Sequence, residues 1–268
     1  MKTQRIKIIY DHSLLEQPAI INALVSCLSP KEACELLLNE LYVQSVILRR
    51  CALRKISADI VKGFLDCHLK LIERLLTAYD KSKFRQKQIY AQCLSSFYHL
   101  VSKNFQKSII FNLINSKYIS MRRKAYKILK TSWNEEYLSL LEEGWKANKD
   151  FDCAEVIIKC FPLSFLNSNI DELEKLVSGT WLLRRLYLRL GEQEHNIVRR
   201  LEKIDEITFV YVSTKLGIQI EEEKLKKIYK RNKNHENASL LIWCFGQMGL
   251  WNILISSLDK TNRKVTEV

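Results

Sequence analysis

Five helix-sized apolar segments recur along the second half of the chain at an interval near thirty residues. They are ISMRRKAYKILK (119–130), DCAEVIIKCF (152–161), TWLLRRLYLRLG (180–191), EITFVYVSTKLG (206–217) and ASLLIWCFGQMG (238–249). Their ends lie 31, 30, 26 and 32 residues apart. Thirty residues hold two helices of about three turns with their links, which is the period of stacked antiparallel helix pairs.

The sequence between these segments supplies the first helix of each pair: 133–147, 169–179, 193–204 and 219–231. Each carries apolar residues at the i, i+3, i+4, i+7 spacing of an amphipathic helix. Acidic residues gather at their starts (Glu135, Glu136; Asp171, Glu172; Glu221, Glu222, Glu223), where they oppose the positive end of the helix dipole. Asn169–Glu172 and Ser132–Glu135 have the spacing of capping boxes. Gly179, Gly191, Gly217 and Gly249 fall where second helices should stop, as residues tolerating positive φ.

The first hundred residues read as helical but less regular. Ser29-Pro30-Lys31-Glu32 is a helix start, and long helices are expected over 31–54, 58–79, 83–103 and 105–114. Residues 4–10, QRIKIIY, suit an extended arm. The reading is therefore an N-terminal helical segment, 1–104, acting as divergent repeats or a cap and continuous with helical repeats over 105–268. With 7 glycines and 3 prolines, against roughly 19 and 13 expected at average usage, strand-rich folds and Gly- or Pro-rich linkers are disfavoured. The uncharged run Gln17–Ser29 contains Pro18 and is too short to cross a bilayer. The N-terminus has no secretory pattern, so a cytoplasmic protein is expected, or a nuclear one in a eukaryote.

Eight cysteines include no C-x-x-C pair, and Cys27/Cys34 and Cys153/Cys160 lie seven apart, on one side of a helix. They read as small buried side chains in a reducing compartment, not as metal ligands or disulfides. No Gly-rich phosphate loop, no HExxH and no supported triad occurs, so no catalytic residue, metal or cofactor is assigned.

At ISMRRKAYKILK the pattern resembles the second helix of a HEAT-like repeat, with the small Ala125 preceded by a basic pair. The resemblance covers about residues 105–260. It implies an all-α fold, an αα-superhelix of the solenoid type with a less regular helical N-terminal portion. Such repeats serve importins, phosphatase scaffolds, bilin lyases and a group of alkylpurine DNA glycosylases, so the resemblance implies an architecture and no catalytic role.

The formal charge of +13 points to anionic partners. In many solenoids second helices line the concave face, where equivalent positions stack into a stripe. Arg122, Arg123, Lys127 and Lys130 on one such helix, Arg184, Arg185 and Arg189 on another, and Arg199 and Arg200 beyond form a candidate basic stripe. It could contact successive phosphates, with Tyr126 and Tyr187 stacking on bases. The 224–233 run, KLKKIYKRNK, reads rather as an exposed outer helix, and Trp243 and Trp251 read as core. Two functions follow: a non-enzymatic scaffold holding a protein partner, or a nucleic-acid-binding protein of the glycosylase kind using a basic groove.

Overall fold

The structure, a computed structural model, describes residues 18–38, 46–61 and 65–257. Among these every regular element is helical and none is a strand. The chain divides into two compact units, Met1–Ala147 and Asn148–Val268. The first of the five recurring segments lies in the N-terminal unit and the other four in the C-terminal one.

The described helices of the N-terminal unit are α1 (Pro18–Ser26), α2 (Pro30–Leu38), α3 (Val46–Val61), α4 (Leu65–Lys81), α5 (Phe84–Leu94), α6 (Lys103–Ile114), α7 (Ile119–Thr131) and α8 (Leu138–Asn148), which ends at the division. Helix α2 opens on the expected capping box. Ser29 Oγ accepts from the Glu32 amide at 3.3 Å, and the Glu32 carboxylate accepts from the Ser29 amide at 2.8 Å. From α4 to α7 each helix packs on the next.

Two expected boundaries are corrected. Helix α3 runs unbroken through 55–57, where a link was expected. The helix expected over 83–103 ends at Leu94 and passes into a 3-10 turn, Ser95–Leu100, kinked at Phe97 (φ −117°, ψ 20°). The kink buries Phe97 and Tyr98. Gln106 Nε2 then donates to the Tyr98 and Val101 carbonyls at 2.9 and 3.0 Å, replacing helical partners. The arm proposed at 4–10 lies outside the described residues.

The C-terminal unit contains α9 (Phe151–Cys160), α10 (Leu163–Ser168), α11 (Ile170–Val177), α12 (Trp181–Gly191), a 3-10 turn (His195–Arg200), α13 (Leu201–Ile204), α14 (Glu206–Lys215), α15 (Glu222–Asn232), α16 (Ala238–Gln247) and α17 (Trp251–Ser257). The recurring helices pack in chain order, α9 on α12, α12 on α14 and α14 on α16. Their facing residues, among them Ile157, Leu186, Val210 and Leu241, are fully buried. Helix α10 was not expected, and it removes the cap proposed at Asn169. The chain reaches that residue already helical, and Asn169 Nδ2 bonds back to the Phe165 carbonyl at 2.9 Å. Ser132 ends α7, while Asn134 caps the next turn by accepting from the Glu136 amide at 3.1 Å. The uncharged residues 237–257 do not form one long helix, because the chain turns at Gly249 between α16 and α17. Among the described residues no helix is long and apolar enough to cross a membrane.

Gly179, Gly217 and Gly249 adopt φ of 72°, 68° and 70° after their helices, as expected. Gly191 has a different role. It is the last residue of α12, and a Cβ there would lie 2.4 Å from Leu216 Cδ1 and 2.8 Å from Val198 Cγ2. Leu216 can swing aside, whereas the buried, β-branched Val198 has little freedom. Gly191→Ala is therefore expected to lower stability by about 1–2 kcal/mol, overpacking outweighing the gain in helix propensity. Urea unfolding measures this, and an unchanged or raised midpoint would show that the space is not needed.

Candidate binding surface

The residues of the basic stripe have unlike environments. In α7, Arg123 and Lys127 are exposed and Lys130 is half-buried. Arg122 is 7% exposed, and its Nη1 donates to the Ser116 carbonyl at 2.8 Å, tying α7 to the turn before it. In α12, Arg184 and Arg185 are half-buried. Arg189 Nη1 and Nη2 donate to the Ile158 and Phe161 carbonyls at 2.7 and 2.8 Å, covering carbonyls left open at the end of α9. Burial, with Arg185 alongside, lowers the Arg189 pKa from its ordinary value. Arg199 is exposed. Arg200 pairs with Asp171 and with Glu174 at 3.0 Å, and Glu174 also accepts from the Tyr187 hydroxyl.

Arg122, Arg189 and Arg200 thus make bonds within their own units. The proposed base-stacking rings are corrected outright: Tyr126 and Tyr187 are 0% exposed and cannot meet a base. Core packing claims both because they lie on the inward face of the same helices whose charges face out. The 224–233 run behaves as an outer helix. Leu225 and Ile228 point inward, and Lys224, Lys226 and Arg231 pair with Glu202, Glu222 and Glu206.

A different set of residues forms a continuous surface on the C-terminal unit. The Arg184 guanidinium of α12 lies over the Tyr211 ring of α14, 5.7 Å from its centroid. Tyr211 meets Trp243 of α16 with centroids 5.8 Å apart and planes inclined by 38°. Lys215, one turn along α14, places Nζ 4.6 Å from the Trp243 centroid. Tyr211 and Trp243 are half-exposed, which corrects the reading of Trp243 as core. Tyr211 sits six residues before Gly217 and Trp243 six before Gly249, and Arg184 sits seven before Gly191. The helical packing therefore delivers equivalent positions to one row. Arg184 Nε is enclosed without a hydrogen-bond acceptor, beside this contact of the guanidinium with the ring. Trp251 is also surface, 66% exposed, because α17 begins beyond the turn at Gly249.

Cys27, Cys34, Cys51, Cys93, Cys153, Cys160 and Cys244 form no disulfide, and Cys93, Cys153 and Cys244 are buried. Burial pushes the Cys244 thiol up despite the Thr214 hydrogen bond and the Arg184 and Lys215 charges nearby. Among the described residues no group of His, Cys, Asp and Glu could hold a metal ion. No protein-family model, no curated protein and no solved structure matches this chain.

Proposed function

We propose that the chain is a non-enzymatic helical-repeat scaffold of the HEAT-like kind, which holds an acidic segment of a partner protein across α12, α14 and α16. The observation that carries this reading is the row Arg184–Tyr211–Trp243–Lys215. Trp, Tyr and Arg are the residue types on which interface energy concentrates, and here three successive recurring helices supply them side by side. The two cations and the net charge of +13 select for a negatively charged partner. Thiols outside disulfides suit a reducing compartment, the cytoplasm or the nucleus.

Cations alternating with half-exposed rings also favour a second reading, single-stranded nucleic acid bound by stacking and phosphate contact. One experiment separates the two. Acidic peptides containing aromatic residues, and their Asn/Gln counterparts, are titrated against the protein beside labelled single- and double-stranded DNA and RNA at two salt concentrations. The scaffold reading expects the acidic peptides to bind preferentially, with Trp243→Ala costing about thirtyfold in affinity. Lys215→Glu, at an exposed position, should weaken them too. Equal binding of the neutral peptides, or no effect of either variant, would overturn it. Tight, steeply salt-dependent oligonucleotide binding lost in Arg184→Glu/Lys215→Glu would establish the second reading instead.

A further inference from the structure

The N-terminal unit contains a half-enclosed cavity of about 280 Å³ between α3, α5 and the start of α7. Its polar wall carries donors. Arg49 projects from α3, where it is 4% exposed, and Arg85 stands exposed at the first turn of α5, without an ion-pair partner among the described residues. Ser120 lies in the first turn of α7, whose N-cap Tyr118 makes no side-chain capping bond; the Met121 amide donates to the Tyr118 carbonyl at 2.9 Å, which leaves the Ile119 and Ser120 amides to an outside acceptor. Among the described residues no carboxylate lines the cavity.

Gln92 adds an independent observation. It lines the cavity while only 5% exposed, and its Oε1 has no hydrogen-bond partner. Gln88, one turn earlier, is anchored instead: Nε2 donates to the Asn115 carbonyl at 3.4 Å and Oε1 accepts from Ser116 Oγ at 3.2 Å. A buried amide left without a tether is costly unless something else meets it. Gln92 is free to turn its NH₂ toward whatever occupies the cavity. Val46, Ile89 and Met121 form an apolar wall opposite these donors, so the space suits more than a bare ion.

We propose that this cavity binds a small phosphomonoester, with its phosphate between Arg49, Arg85 and the start of α7 and its organic group against Val46, Ile89 and Met121. The like-charged surroundings agree. Lys124, beyond Gln92, has its pKa lowered by burial and then by Arg49, Arg50 and Lys127 among its neighbours, so an anion here relieves repulsion within the unit. The site is separate from the row on the C-terminal unit, and neither reading depends on the other.

The test is calorimetric titration of the full chain with phenyl phosphate, inorganic phosphate and phenol. Phenyl phosphate is expected to bind one site at least about tenfold more tightly than inorganic phosphate, and phenol not to bind. Arg85→Ala and Gln92→Leu should each weaken phenyl phosphate by about tenfold or more. Arg123→Ala, elsewhere on α7, should not. Arg85 is exposed, so its removal leaves the fold intact even if Gln92→Leu does not, and circular dichroism checks both. Absence of saturable heat up to about 10 mM phenyl phosphate, or an Arg85→Ala protein that binds as before, overturns the site. Equal affinity for inorganic phosphate overturns the organic half of the proposal.

Discussion

Arg189→Ala is expected to lower the stability of the C-terminal unit by about 2–3 kcal/mol, close to the value of two charge-assisted hydrogen bonds after allowance for partial exposure. The guanidinium reaches back from α12 to the Ile158 and Phe161 carbonyls, at the point where α9 gives way to the link before α10. Removing it leaves both carbonyls without these donors. Arg199→Ala, at an exposed position, should change stability by no more than about 0.5 kcal/mol. Urea unfolding of the two variants beside the parent reads the difference. Equal, small effects would mean that Arg189 belongs with the surface cations and has no structural duty. A large difference would explain why a row of arginines regular enough to suggest a phosphate track contains members committed to holding helices together.

The helices of the second half were legible because two independent signals coincide there. Apolar periodicity names the inward face, and Gly179, Gly217 and Gly249 mark the stops with a backbone conformation other residues resist. Gly191 shares the spacing but not the reason. Contact with Val198 and Leu216 demands it, and such long-range demands leave no local mark. The first helices were placed less well because several begin as 3-10 turns or, at 163–177, divide into two short helices. In the first half, the kink at Phe97 follows from burying Phe97 and Tyr98 together, which periodicity alone does not foresee.

The candidate surface was less legible than the fold. A search for dense charge finds Arg122, Arg189 and Arg200, whose length lets them reach carbonyls and carboxylates inside their own units. Charge density does not distinguish an arginine facing solvent from one closing a helix end. Tyr211 and Trp243 nevertheless share an offset of six residues from Gly217 and Gly249, and Arg184 lies one residue further from Gly191. Trp243 lies in the apolar stretch of α16, where a tryptophan suggests core. The lateral packing of α14 on α16 decides otherwise, leaving one edge of each helix as surface. In the N-terminal unit, the cavity joins residues from 46 to 121 and has no counterpart in any local pattern.

The second large effect is alkaline destabilisation. An unfolded tyrosine ionises near pH 10. Burial, and then the hydrogen bond and charge of Glu174, holds the Tyr187 hydroxyl well above that in the folded C-terminal unit. Tyr98 is held up in the N-terminal unit by burial and by Tyr137, whose hydroxyl lies 2.9 Å away. Cys93, fully buried, is pushed up to about 11 by burial. In each case the unfolded chain gives up the proton first, so the stabilisation is complete below the unfolded pKa and declines as pH rises beyond it. By pH 11 each tyrosine removes about 1.4 kcal/mol, and Cys93 about 2 kcal/mol more from the N-terminal unit. Lys124 works in the opposite direction, because its pKa is lowered and losing its buried charge relieves the folded state. Tyr98 and Cys93 should therefore cost the N-terminal unit about 3 kcal/mol between neutrality and pH 11, and Tyr187 should cost the other unit about 1.4 kcal/mol, to which its raised Cys160 and Cys244 thiols add. Urea midpoints at about pH 8 and pH 11 test this, with Tyr98→Phe and Tyr187→Phe as the controls. Each variant pays its lost hydrogen bond at both pH values but should recover about 1.4 kcal/mol of the alkaline loss. If the phenylalanine variants fall as steeply as the parent, the two hydroxyls are not what the folded units protect.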